Sequence, residues 1–259
     1  MRKVAFTLVL NGMPFIEQQA KIIPEVFDVW YIIEGATLPL HDTAWCRPIN
    51  QEYYTSNKLS VDGTSEFLDS IQSDKIKIIR KNDFWNGKVE MCNSFMHDVQ
   101  NAVLMEFDVD EIWDVDVLRN VLQFAEENSG FDAMLFRCNY FVGPDIKITN
   151  YGCYGNPDDH WPRLWRVVEK SSWISHEPPR ILGLHRHLNQ AFTESKGWIF
   201  NHYSYVNESQ VRFKENFYGY VGAVESWKKL QQHKEFPCLL RNHLPWVRDN
   251  AIVDRIAKS

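Results

Sequence analysis

The chain has 259 residues, of which 44% are hydrophobic and 24% charged. This is the profile of a soluble globular protein with enough chain for one substantial core or two small ones, and it excludes a disordered chain. The net charge of −6, with no Lys/Arg-rich stripe, leaves no basic field to recruit nucleic acid, so an anionic ligand would need local cations or a metal.

Arg2 and Lys3 precede the apolar run "KVAFTLVL", which stops at Asn11-Gly12 without a small-residue cleavage site. It reads as a buried strand, not a signal peptide. Pro14 suits the first turn of a helix through about Ile23. "VWYIIEG" is a second strand closed by Glu34-Gly35, and "GTSEFLDSIQS" a short helix. "KIKIIRK" is a third strand, and from Lys88 to Val99 the positions Val89, Cys92, Phe95, Met96 and Val99 recur at helical spacing. "AVLMEF" is a fourth strand.

Strands alternating with helices predict an α/β fold with a mainly parallel sheet flanked by helices. Ligands then bind beyond the carboxyl ends of the strands, where Asn11, Glu34 and Asp108 lie. From Phe131 to Phe200 the runs "AMLFRCNYF", "RLWRVV" and "GWIFNHYSYV" are split by turn residues, which predicts an antiparallel or mixed extension. "ESQVRFKENF" and "AVESWKKLQQHKE" read as C-terminal helices. We expect a single domain over 1–259, with lobes at 1–130 and 131–259. No apolar run approaches the ~20 residues of a membrane helix, so no integral membrane segment is expected. Five scattered cysteines with no CxxC pair support neither a disulfide framework nor a zinc knuckle and point to a reduced, cytoplasmic setting. Ten tryptophans and ten tyrosines offer aromatic faces for core packing or for sugar rings and bases.

The triplet Asp-Val-Asp occurs twice, at 108–110 and 114–116. The first closes a strand, where extended geometry points residues i and i+2 to one face. Two hard oxygen ligands there suit Mg²⁺ or Mn²⁺ when phosphate oxygens and water complete the shell. The second precedes the amphipathic stretch "VLRNVLQFAEENSG", so Asp114 or Asp116 is a helix N-cap and the other sits at the positive end of the helix dipole.

Several segments in order resemble the GT-A fold glycosyltransferases, family 2-like, and more loosely the family 17 N-acetylglucosaminyltransferases: "TLVLNGMPFIEQ", "YIIEGAT", "FDVDEIW", "PRLWRVVEKSSWISHEPPRI" and "NHYSYVNESQVRFKENFYGY". The resemblance covers Val4 to about Tyr220. It implies a GT-A, Rossmann-like sheet and transfer of a sugar from a UDP- or GDP-sugar donor to a glycan or other hydroxyl acceptor, using Mn²⁺ or Mg²⁺. By the same resemblance Asp108 contacts ribose and metal, Asp110 ligates the metal, and His202 completes its ligands. Glu34 would bind the nucleoside. Leu10, Asn11, Trp85, Gly87 and Lys88 would complete the donor pocket, with Lys214 and Arg212 at the diphosphate. An inverting transfer needs a carboxylate base; Glu177 in "SHEPPR" is favoured, with Asp158-Asp159 as the alternative.

Other residues keep a plainer reading beside the functional one. His176 beside Glu177 suits a structural hydrogen bond, and either Arg163 or Arg166 suits a carboxylate in the active site. His185 and His187 have two-ligand spacing without a third ligand. Two other function classes compete. A metal-dependent phosphoesterase needs several Asp/His ligands at strand ends for two metals, and a non-catalytic nucleotide-sugar-binding module needs only the donor pocket.

Overall fold

The computed structural model describes residues 1–256. The first strand, β1 (Arg2–Val9), lies at the middle of the molecule because every residue from Val4 to Thr7 is apolar or hydrogen-bonded and buried. It runs parallel to β2 (Val29–Glu34), β2 runs parallel to β3 (Ile76–Arg80), and on the other side β1 runs parallel to β4 (Ala102–Glu106). The connections are the helices α1 (Phe15–Val26), α2 (Thr64–Ile71) and α3 (Lys88–Asn93). A parallel sheet covered on both faces needs continuous apolar strands, and β2 and β4 are buried along their whole length.

Beyond β4 come β5 (Glu111–Ile112), α4 (Val115–Glu127), β6 (Ala133–Leu135), β7 (Arg137–Gly143), β8 (Ile146–Ile148) and β9 (Pro162–Val167). A hairpin of β10 (Trp173–His176) and β11 (Pro179–Ile181) follows, then β12 (His187–Leu188), α5 (Gln190–Ser195) and β13 (Ile199–His202). The chain continues through α6 (Glu208–Tyr218), α7 (Ala223–Gln232), β14 (Cys238–Leu239) and β15 (Ile252–Arg255). The main sheet has the order β12-β6-β9-β4-β1-β2-β3, with β9 antiparallel to β4 and β6. A second, mixed sheet has the order β14-β15-β8-β7-β13-β5. This is the expected fold class: a mainly parallel α/β sheet flanked by helices, a mixed extension, and C-terminal helices.

The two halves of the chain are interwoven. The strands β9, β6 and β12 from the second half extend the first sheet, and β5 from the first half joins the second sheet through β13. One apolar core accordingly contains residues from Ala5 through Val253. Among the described residues no helix is long and apolar enough to cross a membrane.

Two sequence expectations change locally. The helix expected over Lys88–Val99 ends at Asn93, and a short 3₁₀ turn follows at Met96–Asp98. The Asn93 amide is drawn away to the hairpin, accepting from Trp173 N at 2.9 Å and donating to Trp173 O at 3.0 Å. The first Asp-Val-Asp triplet is not extended strand. It forms a turn in which Glu111 N–H donates to Asp108 O at 2.9 Å. The second triplet does start a helix: Asp114 caps α4, accepting from the backbone N–H groups of Asp116 and Val117.

Candidate active site

A cavity of about 650 Å³ opens beyond the carboxyl ends of β1 and β4, lined on one side by Leu10, Asp108, Asp110 and His202. Lys88, His176 and Glu177 also line it, as do the aromatic residues Trp45, Tyr154, Tyr205, Tyr218 and Tyr220. A second cavity of about 390 Å³ continues from it, sharing Leu10, Val109, Asp110, Phe213 and Lys214 and adding Asn11, Tyr53, Asp62 and Arg212. Asp110 and Lys214 therefore stand where the two cavities meet.

The turn that presents the aspartates is fixed from behind. Gln19 of α1 is buried, and its Nε2 donates to Asp108 O at 2.7 Å and to Glu111 O at 3.1 Å. Thr7 of β1 donates back to Gln19 Oε1 at 3.2 Å. Sequence periodicity marks position 19 only as part of a helix; a glutamine on its buried face was the available signal.

Arg163, only 3% exposed, is the electrostatic centre. Strand β9 runs antiparallel beside β4 with Met105 opposite Leu164, which sets Arg163 next to the end of β4. Its Nε donates to both Glu111 oxygens at 3.0 and 2.9 Å, and its Nη2 to Asp108 Oδ2 at 2.6 Å. Its Nη1 lies 3.7 Å from Glu106 Oε2. Of the two arginines singled out in the sequence, Arg163 meets the carboxylates. Arg166 instead donates to the backbone carbonyls that end α4.

Burial alone would push the Asp108 carboxyl up, but Arg163, aided by His202, His176 and Lys88, holds it well below the usual carboxylate range. Asp110 is also lowered, because His202 and Lys214 outweigh its burial. Its Oδ1 is 3.3 Å from His202 Nε2, and its Oδ2 is 3.7 Å from Lys214 Nζ. Lys214 donates to Ser204 O at 2.6 Å and lies 4.4 Å from the centre of the Tyr205 ring. Both aspartates are thus ionised at neutral pH, as ligands for a cation must be.

Two groups of residues could hold a divalent cation. Asp108, Glu111 and His202 offer ligand atoms within 4.8 Å of one another, as do Glu106, Asp108 and His176. Asp110 belongs to neither trio but reaches His202. The Nδ1 of His202 is buried without a hydrogen-bond partner among the described residues, an uncompensated polar atom of the kind that a ligand relieves. Arg163 takes the space between Glu106, Asp108 and Glu111.

In the same cavity, Glu177 pairs with Lys88. Burial would lower the Lys88 ammonium, but Glu177 outweighs this and raises it, so Lys88 stays charged. The Glu177 tip of the hairpin is held by Asp42, whose Oδ2 accepts from the backbone N–H groups of His176 and Glu177. His176 Nε2 lies 2.7 Å from Glu106 Oε1, the structural hydrogen bond considered for it.

The other candidate residues make contacts within the protein. Glu34 is fully buried and lines neither cavity; its Oε2 accepts from Arg80 Nε at 2.7 Å and its Oε1 from Ser60 N at 3.2 Å. The cavity wall is its neighbour Gly35. Trp85 packs beneath that glycine and donates from Nε1 to Glu34 O at 3.1 Å; a Cβ on Gly35, whose φ is +141°, would lie 2.9 Å from that nitrogen. Gly87, with φ +80°, precedes α3 and so aims Lys88. The Asn11 side chain bridges two loops, donating to Tyr53 O and accepting from Val61 N, both at 2.8 Å. Asp158 and Asp159 are exposed, with Asp158 paired to Arg137. His185 and His187 are exposed and line neither cavity.

No protein-family model matches the chain, and no curated protein matches it. Solved structures of similar shape include residues 1–349 of S. aureus TarS, at 11% identity and a TM-score of 0.42, covering 64% of this chain and 47% of that one. The same fragment in complex with UDP-GlcNAc gives 12% identity and a TM-score of 0.43, covering 64% and 45%. The chain spans less than half the length of these structures.

Proposed function

We propose that the chain is a metal-dependent, inverting glycosyltransferase that moves a sugar from a nucleoside-diphosphate sugar to a hydroxyl acceptor. The observation that carries this reading is the set of groups gathered in one cavity. Two ionised aspartates, His202 and Lys214 line it together with the Lys88–Glu177 pair and several aromatic residues.

Sugar transfer builds negative charge on the departing diphosphate, so fixed cations there lower the barrier. Lys214 suits that position. A divalent ion held by Asp108, Asp110 and His202 would supply further charge neutralisation. The acceptor oxygen forms a bond to the anomeric carbon as the bond from that carbon to the phosphate oxygen breaks, its electron pair leaving with the nucleoside diphosphate. Glu177 takes the acceptor proton. Its Oε1 is engaged by Lys88, and its Oε2 takes no hydrogen bond among the described residues, which leaves that atom to receive the proton.

Arg163 weighs against the phosphoesterase reading. A second metal would need Glu106 and Glu111, which its guanidinium already engages. The five cysteines are unpaired, in keeping with the cytoplasmic setting we propose. The test is a thermal-shift panel of UDP, GDP and their sugars with and without Mn²⁺. A diphosphate should raise the melting temperature by mass action and more strongly with Mn²⁺; no shift with any of them overturns the proposal. Transfer to added acceptor sugars then separates an enzyme from a binding module.

A further inference from the structure

The C-terminal segment carries the spacing His233-x4-Cys238-x4-His243, and none of the three residues lines either cavity. His233 follows the last turn of α7, with its N–H on Leu230 O at 3.1 Å. Cys238 opens β14, opposite Val253 of β15. His243 follows a 3₁₀ turn at Leu240–Asn242, with its N–H on Leu240 O at 2.9 Å. The buried side chains of Leu240 and Leu244 anchor that turn. Three separate pieces of backbone thus converge, each fixed by its own hydrogen bonds.

Their side chains meet. The His233 and His243 rings have centroids 4.5 Å apart, and one ligand atom from each of the three residues lies within 4.8 Å of the others. All three are half-buried, and among the described residues none of their side chains makes a hydrogen bond or an ion pair.

We propose that His233, Cys238 and His243 form a zinc site. Two imidazole nitrogens and a thiolate are a donor set that Zn²⁺ favours over the hard cations suited to Asp108 and Asp110. Tetrahedral zinc with bonds of about 2.0–2.3 Å separates its ligands by roughly 3.3–3.7 Å, which small side-chain rotations reach from the observed spacing. Neutral imidazoles and a thiolate are the forms that ligate, so the ion displaces the Cys238 proton to solvent, one per ion bound. Water would take the fourth position. The ion would tie the end of α7 to β14 and the turn after it.

Cobalt(II) titration of the full chain, with Mg²⁺ in excess to occupy oxygen-rich sites, tests this. The expected result is one equivalent of Co²⁺ with a thiolate-to-cobalt charge-transfer band and the visible bands of tetrahedral coordination, all displaced by Zn²⁺. Cys238→Ser should abolish the charge-transfer band while Asp110→Ala retains it. His243→Gln should weaken Co²⁺ binding by more than about 100-fold, since losing even an outer-shell partner costs 10–100-fold. Zn²⁺ should also raise the melting temperature of the parent chain and not of Cys238→Ser. Absence of the charge-transfer band in the parent chain, or its persistence in Cys238→Ser, overturns the proposal. Should Cys238→Ser fail to fold, an unchanged Co²⁺ affinity in His243→Gln overturns it equally.

Discussion

Arg163 and Asp108 are joined by a 2.6 Å contact from Nη2 to Oδ2, and the same guanidinium grips the fully buried Glu111 through Nε. One buried cation therefore holds the carboxylates that surround it. Arg163→Met should be destabilising by about 3–5 kcal/mol, because removing one partner strands buried charge. The measurement is the urea midpoint at constant m-value. Arg163→Lys should recover part of the loss, since an ammonium restores the charge without the planar fork. A midpoint unchanged in Arg163→Met would show that the carboxylates take up protons or another cation instead.

The repeated Asp-Val-Asp triplet separates binding from stability. Asp110→Ala should abolish metal-strengthened nucleotide binding and transfer while leaving the melting temperature nearly unchanged. Asp114→Ala removes the cap of α4 and should cost about 1 kcal/mol, within the usual range for such caps, with activity kept. Paired melting and transfer assays on the two variants check this. The reverse pattern would reassign the chemistry to the second triplet.

Much of this was legible in the sequence, for identifiable reasons. The strands β1, β2 and β4 are unbroken apolar runs, and the switch from strand to helix at Asp114 follows from a capping residue before an amphipathic stripe. The protein partners of Glu34 and Asn11 were not legible. Both stand near strand ends, and Arg80 and the loops carrying Tyr53 and Val61 hold their side chains. Those partners are 42 to 50 residues away in the case of Asn11, and no local pattern encodes them. Gln19, Asp42 and Glu111 were missed for the same reason, since each acts on a segment distant in sequence or through a buried arginine.

Asp42 makes the hairpin tip sensitive to acid. Burial pushes its carboxyl up, but the N–H groups of Glu177 and His176 outweigh that and leave it below its ordinary value. A group lowered on folding stabilises the fold above its unfolded pKa of about 3.9 and loses that contribution as pH falls through the folded value. The hairpin should therefore be held fully at neutral pH and loosen only below about pH 4. Amide exchange at His176 and Glu177, corrected for the intrinsic pH dependence, is the readout. Asp42→Ala should speed exchange at those two amides already at neutral pH.

The pair Lys88–Glu177 divides chemistry from binding. As the proposed base, Glu177 should contribute about 10²–10⁴-fold to turnover, so Glu177→Gln should lower kcat by that order with little change in the donor KM. Lys88→Met removes the cation that the Glu177 carboxylate faces and a charge on the cavity wall, so it should raise the donor KM as well as lower kcat. Steady-state kinetics with the donor varied at saturating acceptor distinguishes the two. If Glu177→Gln instead raised the donor KM at unchanged kcat, Glu177 would serve binding alone, and the acceptor proton would have to leave through another group on the same wall.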